Sequence, residues 1–377
     1  MTEPLIVLTA GGTGGHMFPA EALAGALAAR RYRLALVTDR RGTAYPGALG
    51  QIETHRLAVT TLAGTIVQRV RGGFDLALST MRARRLLKRL QPAAVIGFGG
   101  YPSLPAMFAA AQLGVPTALH EQNAVLGRAN RLLARRVSAI ATSFPRVSHI
   151  PDAAAGRIKL TGNPVRPAVL GLRQQGYRPL TSDGRLGILV TGGSQGARVF
   201  SDVVPAAVAA LPAEQRARLA IVQQCRPEDI EAVRRTYQAA GVAAELKTFF
   251  EDLPARLAQA GLVVCRSGAS TVAELTVIGR PAVLVPYPYA TDDHQRANAA
   301  ALTAAGAGWL IPNAEFTPAA LAARLVNLLA DPAPLAAAAA EAHALGRPDA
   351  AERLADLVVR LAPANGHTTG KPRERAA

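Results

Sequence analysis

Three glycine-rich turns carry the residues that could do chemistry, and each closes a short apolar run. Gly11-Gly12-Thr13-Gly14-Gly15-His16 follows Leu5 to Thr9, Gly97-Phe98-Gly99-Gly100-Tyr101 closes Ala93 to Gly97, and Gly192-Gly193-Ser194-Gln195-Gly196 follows Leu186 to Thr191. A glycine turn between a strand and a helix gathers free backbone N–H groups and the positive end of a helix dipole, which suits a phosphate or diphosphate. A fourth turn, Arg266-Ser267-Gly268-Ala269-Ser270-Thr271, offers the same chemistry with small residues. Glu274 stands one helical turn further on, where the dipole favours an acid that can accept from a diol. A plain capping acid would occupy the same position.

Three readings of these turns compete. The dinucleotide fingerprint G-x-G-x-x-G fits Gly12 and Gly14, with Asp39 as a ribose acid, but Met17 stands at its third glycine position. No G-x-x-x-x-G-K-[ST] occurs, which argues against a nucleoside triphosphatase. Gly192-Gly193-Ser194-Gln195-Gly196 matches the G-x-S-x-G elbow of serine hydrolases, with Asp292, Asp293 and His294 downstream. Against it, the same turn type recurs twice upstream without a serine nucleophile. The third reading is a nucleotide-sugar site in a cleft between two domains. The diphosphate would lie on the helix starting at Ser194-Gln195-Gly196, and Glu274 would accept from both ribose hydroxyls. No D-x-D metal cluster is evident, so leaving-group charge would fall to that helix and a nearby cation.

The elements that must position these groups alternate strand and helix, with strand runs that are apolar throughout, as in parallel sheets covered on both faces. Strand, glycine turn and helix begin again at Leu186, so the chain reads as α/β, two Rossmann-like domains in tandem. Residues 1–166 form the first domain, 167–184 a Gly/Arg/Pro-rich linker, and 185–348 the second domain. Residues 349–362 are expected to form a helix packing back on the first domain, and 363–377 a disordered tail. Cys225 and Cys265 have no spacing for zinc or redox work and read as buried thiols.

The chain has 377 residues, a net charge of +16 and only 5% aromatic residues. That charge points to an anionic partner: nucleic acid, membrane surface or a phosphorylated substrate. No aromatic-interleaved basic motif appears, which argues against nucleic acid. No apolar run approaches the roughly 18–20 residues that span a bilayer, and the first apolar run reads as a strand, not a signal peptide. A basic amphipathic helix is predicted from about Phe74 to Leu90. Its core stripe is Leu76, Ala83, Leu87 and Leu90; Phe74, Leu78 and Met81 fall on another face beside Arg82, Arg85 and Lys88. With Ile66, Val67, Arg69 and Arg71 this face could dip into anionic lipid, or it could be a helix buried on both sides.

Taken in order, GGTGGH, GGY, HEQN, GNPVR, GGSQGAR and CRSGASTVAE resemble the MurG family over about residues 4–360. These are the N-acetylglucosaminyltransferases that complete the lipid-linked disaccharide of bacterial peptidoglycan. The resemblance implies the GT-B fold, two facing Rossmann-like domains, and inverting transfer from UDP-N-acetylglucosamine to the C4 hydroxyl of undecaprenyl-pyrophosphoryl-N-acetylmuramoyl-pentapeptide (lipid I). It implies no metal or cofactor, and peripheral attachment to the cytoplasmic face of the inner membrane. By the same resemblance Ser194 contacts the diphosphate, the Phe250 backbone the uracil, and Ala269, Ser270, Thr271, Val272, Ala273 and Glu274 the nucleoside. Gln295, Asn123 and Arg166 reach the sugar. Thr13, Gly14 and Gly15 lie between donor sugar and acceptor, while Gly99, Gly100, Tyr101, Glu121 and Gln122 face the acceptor. His16 is expected as the general base, although a helix cap or an acceptor contact would also account for it. His120, beside Glu121, is an alternative orienting group. A serine hydrolase and a non-catalytic nucleotide-sugar binder remain the rival functions.

Overall fold

A computed structural model of the chain describes residues 3–11, 14–39, 47–57, 66–181, 184–193 and 196–362. Thr13, Ser194 and the tail from 363 lie outside these residues. The first half runs β1 (Leu5–Thr9), α1 (Gly14–Ala29), β2 (Arg33–Thr38), β3 (Glu53–Arg56), α2 (Ile66–Leu90), β4 (Ala94–Gly97), α3 (Leu104–Gln112), β5 (Thr117–Glu121), α4 (Arg128–Leu133), β6 (Ala139–Thr142) and β7 (Ile158–Leu160). A short helix, α5 (Pro167–Leu170), opens the connection to the second half. There follow β8 (Leu186–Thr191), α6 (Arg198–Ala209), α7 (Ala213–Ala217), β9 (Leu219–Gln224), α8 (Ile230–Ala239), β10 (Ala244–Lys247) and α9 (Leu253–Gln259). The chain continues through β11 (Leu262–Cys265), α10 (Ala269–Ile278), β12 (Ala282–Leu284), α11 (His294–Ala304), β13 (Gly308–Leu310), α12 (Pro318–Ala330), α13 (Ala333–Leu345) and α14 (Ala350–Leu361).

The strands form two parallel sheets, ordered β3-β2-β1-β4-β5-β6-β7 and β10-β9-β8-β11-β12-β13. The order reverses between β1 and β4 in one sheet and between β8 and β11 in the other. Open α/β sheets bind ligands at such switch points, beyond the carboxyl ends of the strands. The chemistry-bearing turns sit there: β1 and β4 end level, Thr9 beside Gly97, and β8 and β11 end level, Thr191 beside Cys265. The sheets carry helices on both faces because alternate strand residues supply two cores. Leu5 and Val7 pack with Ala83, Leu87 and Met107 from α2 and α3, while Ile6 and Leu8 pack with Leu23, Leu27, Leu354 and Val358 from α1 and α14.

Three elements differ from the sequence reading. α2 begins at Ile66 rather than near Phe74, so Gly72 and Gly73 lie inside a helix. The glycines cost helix propensity of roughly 1 kcal/mol each, and packing of Ala83 and Leu87 downstream outweighs it. The strand expected over 116–119 runs on to Glu121, so His120 and Glu121 are its last two residues. The connection after Arg166 is not featureless: α5 buries Val169 completely in the core that joins the halves, with Phe144, Val165, Leu275 and Ile278. α14 returns to the first half, where Leu354, Leu357 and Val358 are buried against α1 and Arg30 pairs with Glu352 and Asp356. Both cysteines are buried, and burial pushes the Cys225 thiol up to about 11 and Cys265 to about 12.

Candidate active site

His16 occupies the first turn of α1, directly beyond the switch point of the first sheet. Its half-buried ring lies against the loop after β4, where Gly99 and Gly100 have φ of 86° and 74°, a backbone that favours glycine. A methyl group on Gly100 would come within 3.5 Å of the ring. His16 Nδ1 lies 3.2 Å from Gln122 Oε1. Gln122 Nε2 donates to the Phe98 carbonyl at 2.9 Å and lies 3.1 Å from His120 Nδ1, and His120 Nε2 is 3.0 Å from the Gly162 carbonyl. Burial lowers the His16 pKa, partly opposed by the charge of Glu121 and the bond to Gln122. His120 is wholly buried and is pushed down to about 4, so it is neutral at neutral pH.

Glu121 and Gln122, which the resemblance assigns to the acceptor, turn inward. Glu121 is 1% exposed and its carboxylate accepts from the backbone N–H of Asn123 and Gly127 and from the side chains of Asn123 and Asn130. Saturated in this way, it fixes the turn that presents Asn123 and has no oxygen face left for a ligand. Gln122 is equally buried. Tyr101 stays half-buried at the start of the turn before α3.

From the second half, α10 starts at Ala269 with Gly268 as its N-cap and with its first-turn N–H groups beyond β11. Glu274 is 6% exposed, and Arg166 donates to its Oε1 from Nε at 3.0 Å and Nη2 at 2.8 Å. Among the described residues Oε2 takes no protein donor. Burial raises the Glu274 pKa, and the Arg166 charge opposes that shift. The Arg166 guanidinium also stacks 5.0 Å from the Phe18 ring of α1, so the pair joins the crossover to both halves. Ser270 Oγ is buried without a partner among the described residues. Helical spacing divides the run Ala269–Glu274. Ala269, Val272 and Ala273 line an apolar cavity of about 140 Å³ between the halves, so the Val272 side chain, 3% exposed, faces away from a ligand above the helix start.

Gln295 accepts from the Tyr287 N–H at 2.9 Å and so ties down the loop before α11, leaving its amide nitrogen for a ligand. The Phe250 ring is buried under Arg256 at 4.5 Å and Lys247 at 5.8 Å, so this residue can offer only backbone. His294 Nδ1 contacts the Thr291 carbonyl at 2.8 Å, not a carboxylate. Among the described residues no group of three or more His, Cys, Asp or Glu could hold a metal ion.

Sequence reasoning missed Asn298. It is fully buried in α11, its Oδ1 accepts from Ala124 N–H at 2.8 Å, and its Nδ2 donates to Asn123 Oδ1 and the Ser267 carbonyl, both at 3.0 Å. An asparagine inside the alanine-rich stretch from 297 to 301 was its only sequence sign. Asp292, which has φ of 53°, pairs with Arg128 at 2.9 Å and with Arg131, making a second polar tie between the halves.

The two halves match the glycosyltransferase family 28 N-terminal domain over residues 6–142 and its C-terminal domain over residues 187–354. Along its full length the chain is 58% identical to the UDP-N-acetylglucosamine–N-acetylmuramyl-(pentapeptide) pyrophosphoryl-undecaprenol N-acetylglucosamine transferase of Rhodospirillum centenum, covering 100% of both chains. The chain belongs to the MurG family. A relative of the same name from Paramagnetospirillum magneticum is 57% identical over 96% of this chain and 98% of its own. The crystal structure of MurG from Acinetobacter baumannii superposes with a TM-score of 0.77 at 30% identity, covering 95% of this chain and 100% of that one. The fold is therefore GT-B, the two-domain α/β architecture of this family.

Proposed function

We infer that this protein is an N-acetylglucosaminyltransferase that moves GlcNAc from UDP-GlcNAc to lipid I, giving lipid II for peptidoglycan. The observation that carries this reading is the 58% identity over the whole length to an enzyme with that printed name. The geometry agrees with it. Two switch-point sites are linked through Arg166, which stacks on Phe18 of α1 and pairs with Glu274 of α10: one carries a histidine beside a glycine loop, the other a helix start and a buried acid.

In the proposed reaction the UDP moiety lies on the starts of α6 and α10, whose N–H groups and dipoles favour the charge that develops on the leaving diphosphate. Glu274 holds the ribose. Its Oε2 is ready to accept, and a grip on both hydroxyls requires Arg166 to leave Oε1, which frees a guanidinium for the sugar or diphosphate. Asn123 and the Gln295 amide meet the sugar. By the family resemblance, Thr13, Gly14 and Gly15 would come between donor sugar and acceptor, Gly99 and Gly100 would face the acceptor, and Ser194 would meet the diphosphate. His16 removes the proton from the acceptor C4 hydroxyl as it attacks the anomeric carbon in one inverting displacement.

We assign membrane contact to α2. Phe74 is 71% exposed and Met81 54% exposed, while Arg82, Arg85 and Lys88 beside them are exposed, and Ala83 and Leu87 are buried on the opposite face. Apolar side chains with flanking cations suit the interface of an anionic bilayer. The side chains of Ile66, Val67, Arg69 and Arg71 lie outside the described residues. No described helix is long and apolar enough to cross a membrane. On the reading of α2 as the contact, the protein would sit peripherally on the cytoplasmic face, where the family resemblance puts its lipid-linked acceptor.

UDP release is the discriminating assay. Release should require UDP-GlcNAc and the lipid-linked acceptor together. His16→Ala should lower kcat by about 10²–10⁴-fold with donor affinity intact. Ester hydrolysis, or an adduct on Ser194, would restore the hydrolase reading. Donor binding without transfer to any acceptor would favour the non-catalytic binder.

A further inference from the structure

The hydrogen-bond chain behind His16 reaches through two side chains, Gln122 and His120, to a backbone carbonyl, and its polarity is fixed from both ends. At the inner end, the Gly162 carbonyl can only accept, so His120 Nε2 at 3.0 Å must carry a proton. His120 is fully buried and neutral, which leaves Nδ1 as an acceptor. In the middle, the Gln122 amide lies within reach of two carbonyls, Phe98 at 2.9 Å and His120 at 3.2 Å. Carbonyl oxygens repel an amide oxygen, so the nitrogen must face them, and it faces His120 Nδ1 at 3.1 Å as well. Gln122 Oε1 is thereby turned to His16 Nδ1 at 3.2 Å, and an oxygen there can only accept. The proton of neutral His16 is therefore on Nδ1. Nε2, on the ring edge against Gly100, keeps its lone pair.

We propose that Gln122 and His120 are positioning residues that hold His16 in its Nδ1–H tautomer, so that Nε2 faces the acceptor loop as the base. The inference rests on the reading of His16 as base, but the tautomer can be observed without turnover. In the step it serves, the acceptor C4 oxygen forms its bond to the anomeric carbon as its proton passes to His16 Nε2. The bond from that carbon to the diphosphate oxygen breaks, and UDP leaves with the electron pair. The imidazolium so formed still donates from Nδ1 to Gln122 and returns its Nε2 proton to water. A histidine with the proton on Nε2 would present a donor to the hydroxyl and could not accept from it. Loss of the correct tautomer costs about 10⁴-fold in the serine-protease triad, where a carboxylate is replaced by an amide. Here a neutral amide sets the tautomer without placing a charge beside the base. Glu121 from β5 favours the imidazolium, while His120 and, from α11, His294 oppose it.

The test is nitrogen NMR of the ring-labelled full-length protein at neutral pH, with the His16 signals identified by their loss in His16→Asn. The expected result is a protonated Nδ1 and a bare Nε2 on His16, and the reverse on His120. A protonated Nε2 on His16 would overturn the proposal even if the enzyme transfers sugar normally. The companion variants are Gln122→Met and Gln122→Glu. Gln122→Met should return His16 towards the Nε2–H form and lower kcat by about 10²-fold with KM for the donor unchanged. Gln122→Glu keeps the acceptor for Nδ1 but adds charge, so the acid limb of the kcat profile should move to higher pH. Unchanged kcat and pH profile in both variants would also overturn it. If the tautomer is as stated but His16→Ala retains full kcat, it is the assignment of the base that fails, and the positioning role with it.

Discussion

Glu274 is where two interactions compete for one side chain. In the structure its Oε1 is held by Arg166, and in the proposed donor complex the same carboxylate grips ribose. Glu274→Ala should weaken UDP binding by about 1.5–3 kcal/mol, the range for a hydrogen bond to a charged group, as read by calorimetry on a folded variant. Affinity equal to the parent protein would remove Glu274 from the site. Arg166→Ala separates the two interactions: freed of its partner, Glu274 should still bind ribose while sugar positioning suffers. At this scale the sequence was informative about residue type and silent about direction. Glu274 and His16 could be picked out because an acid and a histidine follow small-residue turns. That Glu121 and Gln122 both point inward could not be read, since their direction is set by hydrogen bonds to Asn123, Gly127 and Asn130 and to Phe98 and His120, which no local pattern marks.

Among the elements, the central strands were legible because both faces are covered and their runs are apolar without alternation, whereas the edge strands β3 and β10 were not, being polar and partly exposed. The start of α2 was not, because Gly72 and Gly73 read locally as a break and only packing across α2 and α3 shows otherwise. α5 was also hidden, being four residues long and defined by the burial of Val169. The amphipathic face of α2 was visible as spacing, and the structure decides which part is core: Ala83 and Leu87 are buried while Phe74 and Met81 are exposed. Phe74→Ser with Met81→Ser should leave turnover of a short-chain, water-soluble acceptor analogue unchanged. The same variant should lose binding to vesicles containing anionic lipid, measured by co-sedimentation, and high salt should weaken the parent protein's binding. Vesicle binding equal to the parent protein would place the membrane contact elsewhere.

For the whole molecule, the tandem repeat was readable from the restart at Leu186, but the ties between the halves were not. Asn298, Asp292 and the apolar core around Val169 and Leu275 join residues far apart in the chain, and no local pattern marks such pairs. Asn298→Ala removes three hydrogen bonds and leaves the Ala124 N–H buried without an acceptor, so urea denaturation should show a loss of about 1–3 kcal/mol. Donor affinity should fall too, because Asn123 and Ser267 lose their shared anchor. Stability equal to the parent protein would mean that Asn298 is not one of the ties that hold the halves together.

In the proposed reaction the cleft transfers one sugar by a single displacement without a metal. This reaction is tested most directly by incubating the protein with UDP-GlcNAc and a lipid-linked N-acetylmuramoyl-pentapeptide acceptor in excess EDTA, then analysing the product by mass and by proton NMR. The expected product is an acceptor heavier by one N-acetylhexosaminyl residue, joined through C4 in the β configuration. A product with the α configuration, or no product until a divalent ion is restored, would contradict it.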